Sequence, residues 1–91
     1  MNSKTHKKAA ALRYDRGQDR APKVVARGRG KIAEKIVALA NEHNIPLVQD
    51  HNLVQMLEAL DVDTEIPTEL YQAVAEVLVF VYRLNNAEIG R

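Results

Sequence analysis

The residues best placed to do chemistry are Gly28-Arg29-Gly30-Lys31-Ile32-Ala33, a G-x-G-x-x-A stretch between an apolar, β-branched run and an amphipathic one. In a strand-to-helix turn such glycines let the backbone approach a pyrophosphate, and an acid about twenty residues on, here Asp50, takes the ribose hydroxyl. Arg27, Arg29 and Lys31 add positive charge where a phosphate would sit, so they are candidate phosphate contacts. Against a dinucleotide stand the bulky Arg27 before the first glycine and a chain of 91 residues, too short for the strands that complete such a site. The same six residues are read equally well, and more economically, as a tight turn between strand and helix.

The remaining reactive side chains form no catalytic grouping. His6, His43 and His51 lack the paired spacing of a metal-binding helix, and no serine, histidine and acid stand in a triad pattern. Asp61, Asp63 and Glu65 alternate as in a calcium loop, but the glycine and the closing glutamate of such a loop are missing, which leaves a solvated turn. With no cysteine there is no thiolate nucleophile, no disulfide and no cysteine-based zinc site, in keeping with a reducing compartment. No cofactor and no metal are expected.

These residues are positioned by a short series of elements. Residues 1–8 are polar and lysine-rich, with nothing to bury, and read as a mobile basic tail. Ala9 to Tyr14 and Lys23 to Arg27 read as two strands, joined by the polar loop Asp15 to Arg20 and bounded by Pro22 and Gly28. From Gly30 the period lengthens: Ile32, Ile36, Leu39, Ala40 and His43 share one face of a helix that Asn44 can stop in a left-handed conformation. Ile45-Pro46-Leu47-Val48 reads as a buried strand, which would make a strand–helix–strand crossover. Asp50 or Asn52 caps a second helix with the stripe Leu53, Val54, Leu57 and Leu60. Pro67 opens a third, over about 68–84, with Leu70, Val74, Val77, Val81 and Leu84 inward and Val79 and Phe80 widening the apolar face. Residues 9–85 are thus one domain and 86–91 a frayed tail.

Net charge is +1, but it is unevenly placed. Residues 1–31 carry ten Lys/Arg against Asp15 and Asp19, a charge of +8, whereas residues 32–91 carry three against ten acids, a charge of −7. A basic lobe of this size suits phosphates, acidic lipids or an acidic protein, or is only a solvated tail with ordinary surface charge. Tyr14 is the one aromatic among the basic residues, which gives no stacking surface for single-stranded nucleic acid. The longest apolar run, Val77 to Tyr82, is far short of the ~20 residues that span a bilayer, and the lysine-rich start lacks the apolar core of a secretion signal.

Three segments in order, Ala11-Leu12-Arg13-Tyr14-Asp15, then Ala21-Pro22-Lys23-Val24-Val25-Ala26-Arg27-Gly28, then Ile66-Pro67 with Leu70-Tyr71 and Ala73-Val74-Ala75-Glu76-Val77-Leu78, resemble the C-terminal cytoplasmic domain of the FlhB/YscU family. The likeness runs from about Ala9 to Leu84. It implies a small α/β fold, a central sheet of about three strands flanked by helices, in the element order β-β-α-β-α-α. It also implies that the family's first strand, which precedes the cleavage loop, is lacking, because Met1 falls where that loop stands. The open edge this would leave, along Ala9 to Tyr14, invites strand donation by a partner such as the export gate, unless the lysine-rich tail covers it.

In that family the domain switches flagellar (type III) export from early rod-and-hook substrates to late filament ones, after self-cleavage of an Asn-Pro bond in an Asn-Pro-Thr-His loop. Alignment without gaps sets Lys4, Thr5, His6 and Lys7 at that loop, and the chain has no Asn-Pro bond at all, so no autoproteolysis and no enzyme activity are expected. The family's apolar substrate-docking patch falls by position on Ala21, Pro22, Ala75 and Leu78, where ordinary packing of a loop on the last helix is the competing explanation. The expectation is a non-catalytic adaptor of flagellar export, acting in the cytoplasm or beside the membrane-bound apparatus. It would engage rod- and hook-type substrates or gate proteins, with no small-molecule substrate and no membrane insertion. The alternative is a small basic protein that binds phosphate or nucleic acid.

Overall fold

A computed structural model describes residues 7–89, with side chains described as far as Asn85. Strand β1 (Lys8–Arg13) and strand β2 (Lys23–Arg29) form an antiparallel hairpin, with Lys8 opposite Arg29 and Arg13 opposite Lys23. The register slips between Ala11 and Leu12, because Ala11 faces Ala26 and Leu12 faces Val24, which leaves Val25 as the extra residue of a bulge. The mobile tail expected over 1–8 lies outside the described residues as far as residue 6, while the Lys7 ammonium is 3.4 Å from Glu34 and its carbonyl accepts from the Gly30 N–H.

The hairpin loop is held by two aspartates. The Asp15 carboxylate accepts from the Gly17 N–H at 3.0 Å and its carbonyl accepts from the N–H groups of Gln18 and Asp19. The Asp19 carboxylate accepts in return from the Asp15 N–H at 2.9 Å and from the Arg13 guanidinium at 3.1 Å. Paired Asx-type contacts of this kind fold a polar stretch without any apolar burial.

Helix α1 (Lys31–Glu42) follows β2 directly and packs on the sheet face that carries Ala9 and Gly28, burying Ala33 and Ala40. It ends as its sequence predicts. Asn44 has φ +57°, and the N–H groups of Asn44 and Ile45 return to the carbonyls of Asn41 and Ala40 in a Schellman arrangement.

The next segment departs from the sequence reading. Residues 45–48 join no strand, and Ile45, Leu47 and Val48 stay 55, 46 and 42% exposed. Pro46 removes a ladder donor, and the free side of β2 is taken instead by β3 (Thr64–Glu65), antiparallel with Lys23 opposite Glu65 and Val24 opposite Thr64. The sheet has the expected three strands, in the order β1-β2-β3, but the third comes from the acidic turn and the element order is β-β-α-α-β-α. There is accordingly no crossover unit.

Helix α2 (His51–Glu58) begins at Asp50, whose carboxylate accepts from the Leu53 N–H at 3.0 Å. Asp63 takes φ +72° in the turn before β3, and the Asp63 N–H reaches the Val24 carbonyl. A 3-10 turn (Thr68–Leu70) after Pro67 leads into α3 (Tyr71–Ile89), whose backbone stays helical past Asn85, through four residues expected to fray. The core lies between β2 and the helices α2 and α3. It consists of Val24, Leu53, Leu57, Ile66, Leu70 and Val74, with Ala10, Leu12, Leu60, Ala73, Val77 and Leu78 packed around them. Among the described residues no helix is long and apolar enough to cross a membrane.

The Asp15 N–H, and after it the Arg13 guanidinium, holds the Asp19 carboxyl below the ordinary aspartate range. A depressed folded-state value means that this carboxylate stabilises the loop above pH ~4 and ceases to do so as pH falls through the lowered value. On acidification the Asp15 amide and Arg13 Nε–H signals should therefore shift together with Asp19, and Asp19→Asn should remove that step from the titration.

Candidate functional site

The glycine-rich stretch is a structural turn. Gly30 caps α1 with φ +60° and ψ −127°, a conformation that side chains rarely adopt, and its N–H is already spent on the Lys7 carbonyl. Gly28 is buried against α1, and a Cβ placed on it would overlap the side chain of Ile32. The first glycine thus admits the helix to the sheet, and the second turns the chain into it.

Of the three candidate phosphate contacts, two are engaged within the protein. Arg27 and Arg29 are two apart on a strand and therefore share a face, the face covered by α2, where Glu58 is buried. The Glu58 carboxylate accepts from the Arg29 guanidinium at 3.2 Å and lies 4.0 Å from that of Arg27, which in turn stands 4.0 Å from Asp61. Arg27 Nε is itself buried without a hydrogen-bond partner. Lys31, exposed at the start of α1, stands outside this cluster. The sequence reading missed Glu58, although two arginines at strand spacing are a signal that an acid faces them.

The four positions of the expected docking patch fall in different environments. Ala21 is 2% exposed, Pro22 is half-buried and its carbonyl accepts from the Ile66 N–H at 2.9 Å, Leu78 leans on the core, and Ala75 is exposed on α3. Ala75 lines a shallow open groove on the outer face of α3 with Gln72, Glu76, Val79, Phe80 and Arg83. Of the former cleavage-loop positions, Lys4, Thr5 and His6 lie outside the described residues, while Lys7 makes the contacts given above.

Beside β1, Lys7 and Lys8 border a second shallow depression with His51, Val54 and Gln55 of α2. His51 Nε2 is 2.8 Å from the Gln55 amide, and His43 closes α1. No three metal-ligating side chains converge among the described residues. Arg16 of the hairpin loop reaches across to α3, donating to the Tyr82 hydroxyl with its guanidinium 5.6 Å from the ring centre.

A three-stranded sheet carried on three helices, with a lysine-bordered depression at a sheet edge and a partly apolar groove along a helix, defines a small α/β domain. The chain belongs to the family described as FlhB HrpN YscU SpaS, whose model matches residues 5–81. It is 41% identical over 81 residues to the uncharacterized protein YlqH of Bacillus subtilis (strain 168), covering 89% of this chain and 87% of that protein. It is 45% identical over 74 residues to the flagellar biosynthetic protein FlhB of Aquifex aeolicus, covering 80% of this chain but 21% of that protein. The chain therefore spans nearly all of YlqH and about a fifth of FlhB. Among solved structures, the cytoplasmic domain of FlhB from Shewanella putrefaciens superposes with a TM-score of 0.86 at 37% identity, over 94% of this chain and 67% of that one. The PscU C-terminal domain does so with a TM-score of 0.77 at 34% identity, over 82% and 96%.

The buried carboxylate makes a specific prediction. Arg27→Ala or Arg29→Ala alone leaves Glu58 one cation and should cost at most about 1 kcal/mol. The double substitution strands the charge and should cost about 3 kcal/mol. Urea denaturation of the three variants measures that excess.

Proposed function

We propose that this chain is a non-catalytic binding module of flagellar type III export, one that holds extended segments of rod- and hook-type substrates or of export-gate proteins. The observation that carries the reading is the family match over residues 5–81, combined with apolar side chains at least partly exposed at Pro22, Ala75 and Leu78. On this reading the patch is narrower than four residues. Ala21 is too deep to touch a ligand and instead seats the loop before β2, so Pro22, Ala75 and the exposed edge of Leu78 are the contacting groups. Short apolar side chains there give a peptide little to hydrogen-bond, so affinity comes from area and from an anchor residue on the peptide.

The outer edge of β1 is the second element of the reading. β1 ends the sheet, and its lysine-bordered depression suits an added strand with acidic flanks. The basic lobe is less available to phosphate than composition implied, since Arg27 and Arg29 are turned to Glu58. Placement in the cytoplasm, beside the membrane-bound apparatus, follows from this reading.

Amide spectra of the labelled chain, titrated with the N-terminal segment of a rod- or hook-type substrate at low and moderate salt, test it. Shifts at Ala75 and Leu78 that survive salt, and that Ala75→Asp weakens by about tenfold, are expected. Shifts at Ala10 to Leu12 with gate protein would mark strand addition. Salt-sensitive shifts confined to Arg13, Arg27, Arg29 and Lys31 would instead favour phosphate binding.

Lacking an Asn-Pro bond, the chain should also keep its full mass through long incubation. Two fragments that sum to it, seen by intact mass spectrometry, would refute the non-catalytic reading.

A further inference from the structure

Helix α3 has an outward face as well as an inward one. Leu70 just before it and Val74 in its first turn enter the core, and Val77 and Leu78 lean against that core. On the opposite side, Gln72, Glu76, Val79 and Arg83 fall on one line at helical spacing, with Ala75 and Phe80 to either side. Val79 and Phe80 are nearly half exposed, and neither Glu76 nor Arg83 has an ion-pair partner among the described residues.

The order of charges along that line selects an occupant. Glu76 and Arg83 are equally far from the midpoint between Val79 and Phe80, about 5 Å along the axis on either side. A two-fold axis through that midpoint brings Glu76 of one copy opposite Arg83 of a second, and the reverse. A parallel alignment would set like charges together at both ends. We propose that two copies of this chain pair through the outer faces of α3, antiparallel and about a two-fold axis.

Helix axes 8–10 Å apart let Phe80 of each copy cover Val79 of the other, with the small Ala75 at the flank and the two ion pairs closing the ends. One helix face of about three turns buries less than the ~1,200 Å² of a standard interface, so the pairing is weak and concentration-dependent.

Sedimentation of the full chain over a wide concentration range, at low salt, tests the inference. The weight-average mass should rise from 10.2 kDa toward twice that value. Glu76→Arg and Arg83→Glu should each raise the dissociation constant at least about tenfold by setting like charges opposite one another. An equimolar mixture of the two variants, and the double swap in one chain, should both recover the association, because each restores opposite signs across the axis. Both side chains are exposed, so helical circular dichroism should be unchanged in every variant. A mass that stays at 10.2 kDa at the highest concentration overturns the proposal, as does a Glu76→Arg variant that associates as well as the native chain or a mixture that fails to recover.

Discussion

Strand β2 must satisfy four neighbours at once, and most other features of the molecule follow from how it does so. Its two edges are bonded to β1 and, at its start, to β3. One face carries Val24, fully buried against α2 and α3, and the other presents Gly28 to α1. A strand covered on both faces, with one edge fully paired and the other paired at its start, leaves little surface for a ligand on the sheet's faces. Whatever binds must do so at the sheet's outer edge or on a helix.

The stability of so small a core depends on a few side chains. Each aliphatic in the buried cluster contributes about 1.5–3 kcal/mol when fully removed from water, set against the entropy of ordering the whole chain. The arginine pair on β2 and Glu58 add a polar contact between strand and helix that apolar packing alone would leave free to slide. A buried carboxylate is tolerable only because two guanidiniums face it, so the cluster fixes the register of α2 on the sheet as much as it stabilises it.

The same shortage of core explains the surfaces. Helix α3 is longer than the body it packs on: Val74 is buried, Val77 and Val81 partly so, and Leu84 is 42% exposed. Past its first turns the helix has nothing left to pack on, and its apolar residues stand ready for another chain. Residues 45–48, outside any strand and with three exposed aliphatics, have the same origin.

Sequence by itself determined the elements whose signals are local. The Asn44 stop, an N-cap at Asp50 or Asn52, Pro67 before the last helix and the first two strands depend on residues within a turn or two of one another; the stop is realised, Asp50 is the cap, and the strands form with β2 running on through Gly28 to Arg29. The resemblance carried by residues 11–15, 21–28 and 66–78 likewise gave the family and fold class, because those side chains build the hairpin and the core. Tertiary structure alone decided which segment became the third strand. Residues 45–48 have the better strand composition, but Thr64 and Glu65 are delivered to the open side of β2 by the turn at Asp63, and an edge hydrogen-bonds whichever backbone reaches it. It also decided that Arg27 and Arg29 meet a buried acid about thirty residues away. Charge counts along a chain record how many ions there are; pairing depends on faces brought together by folding.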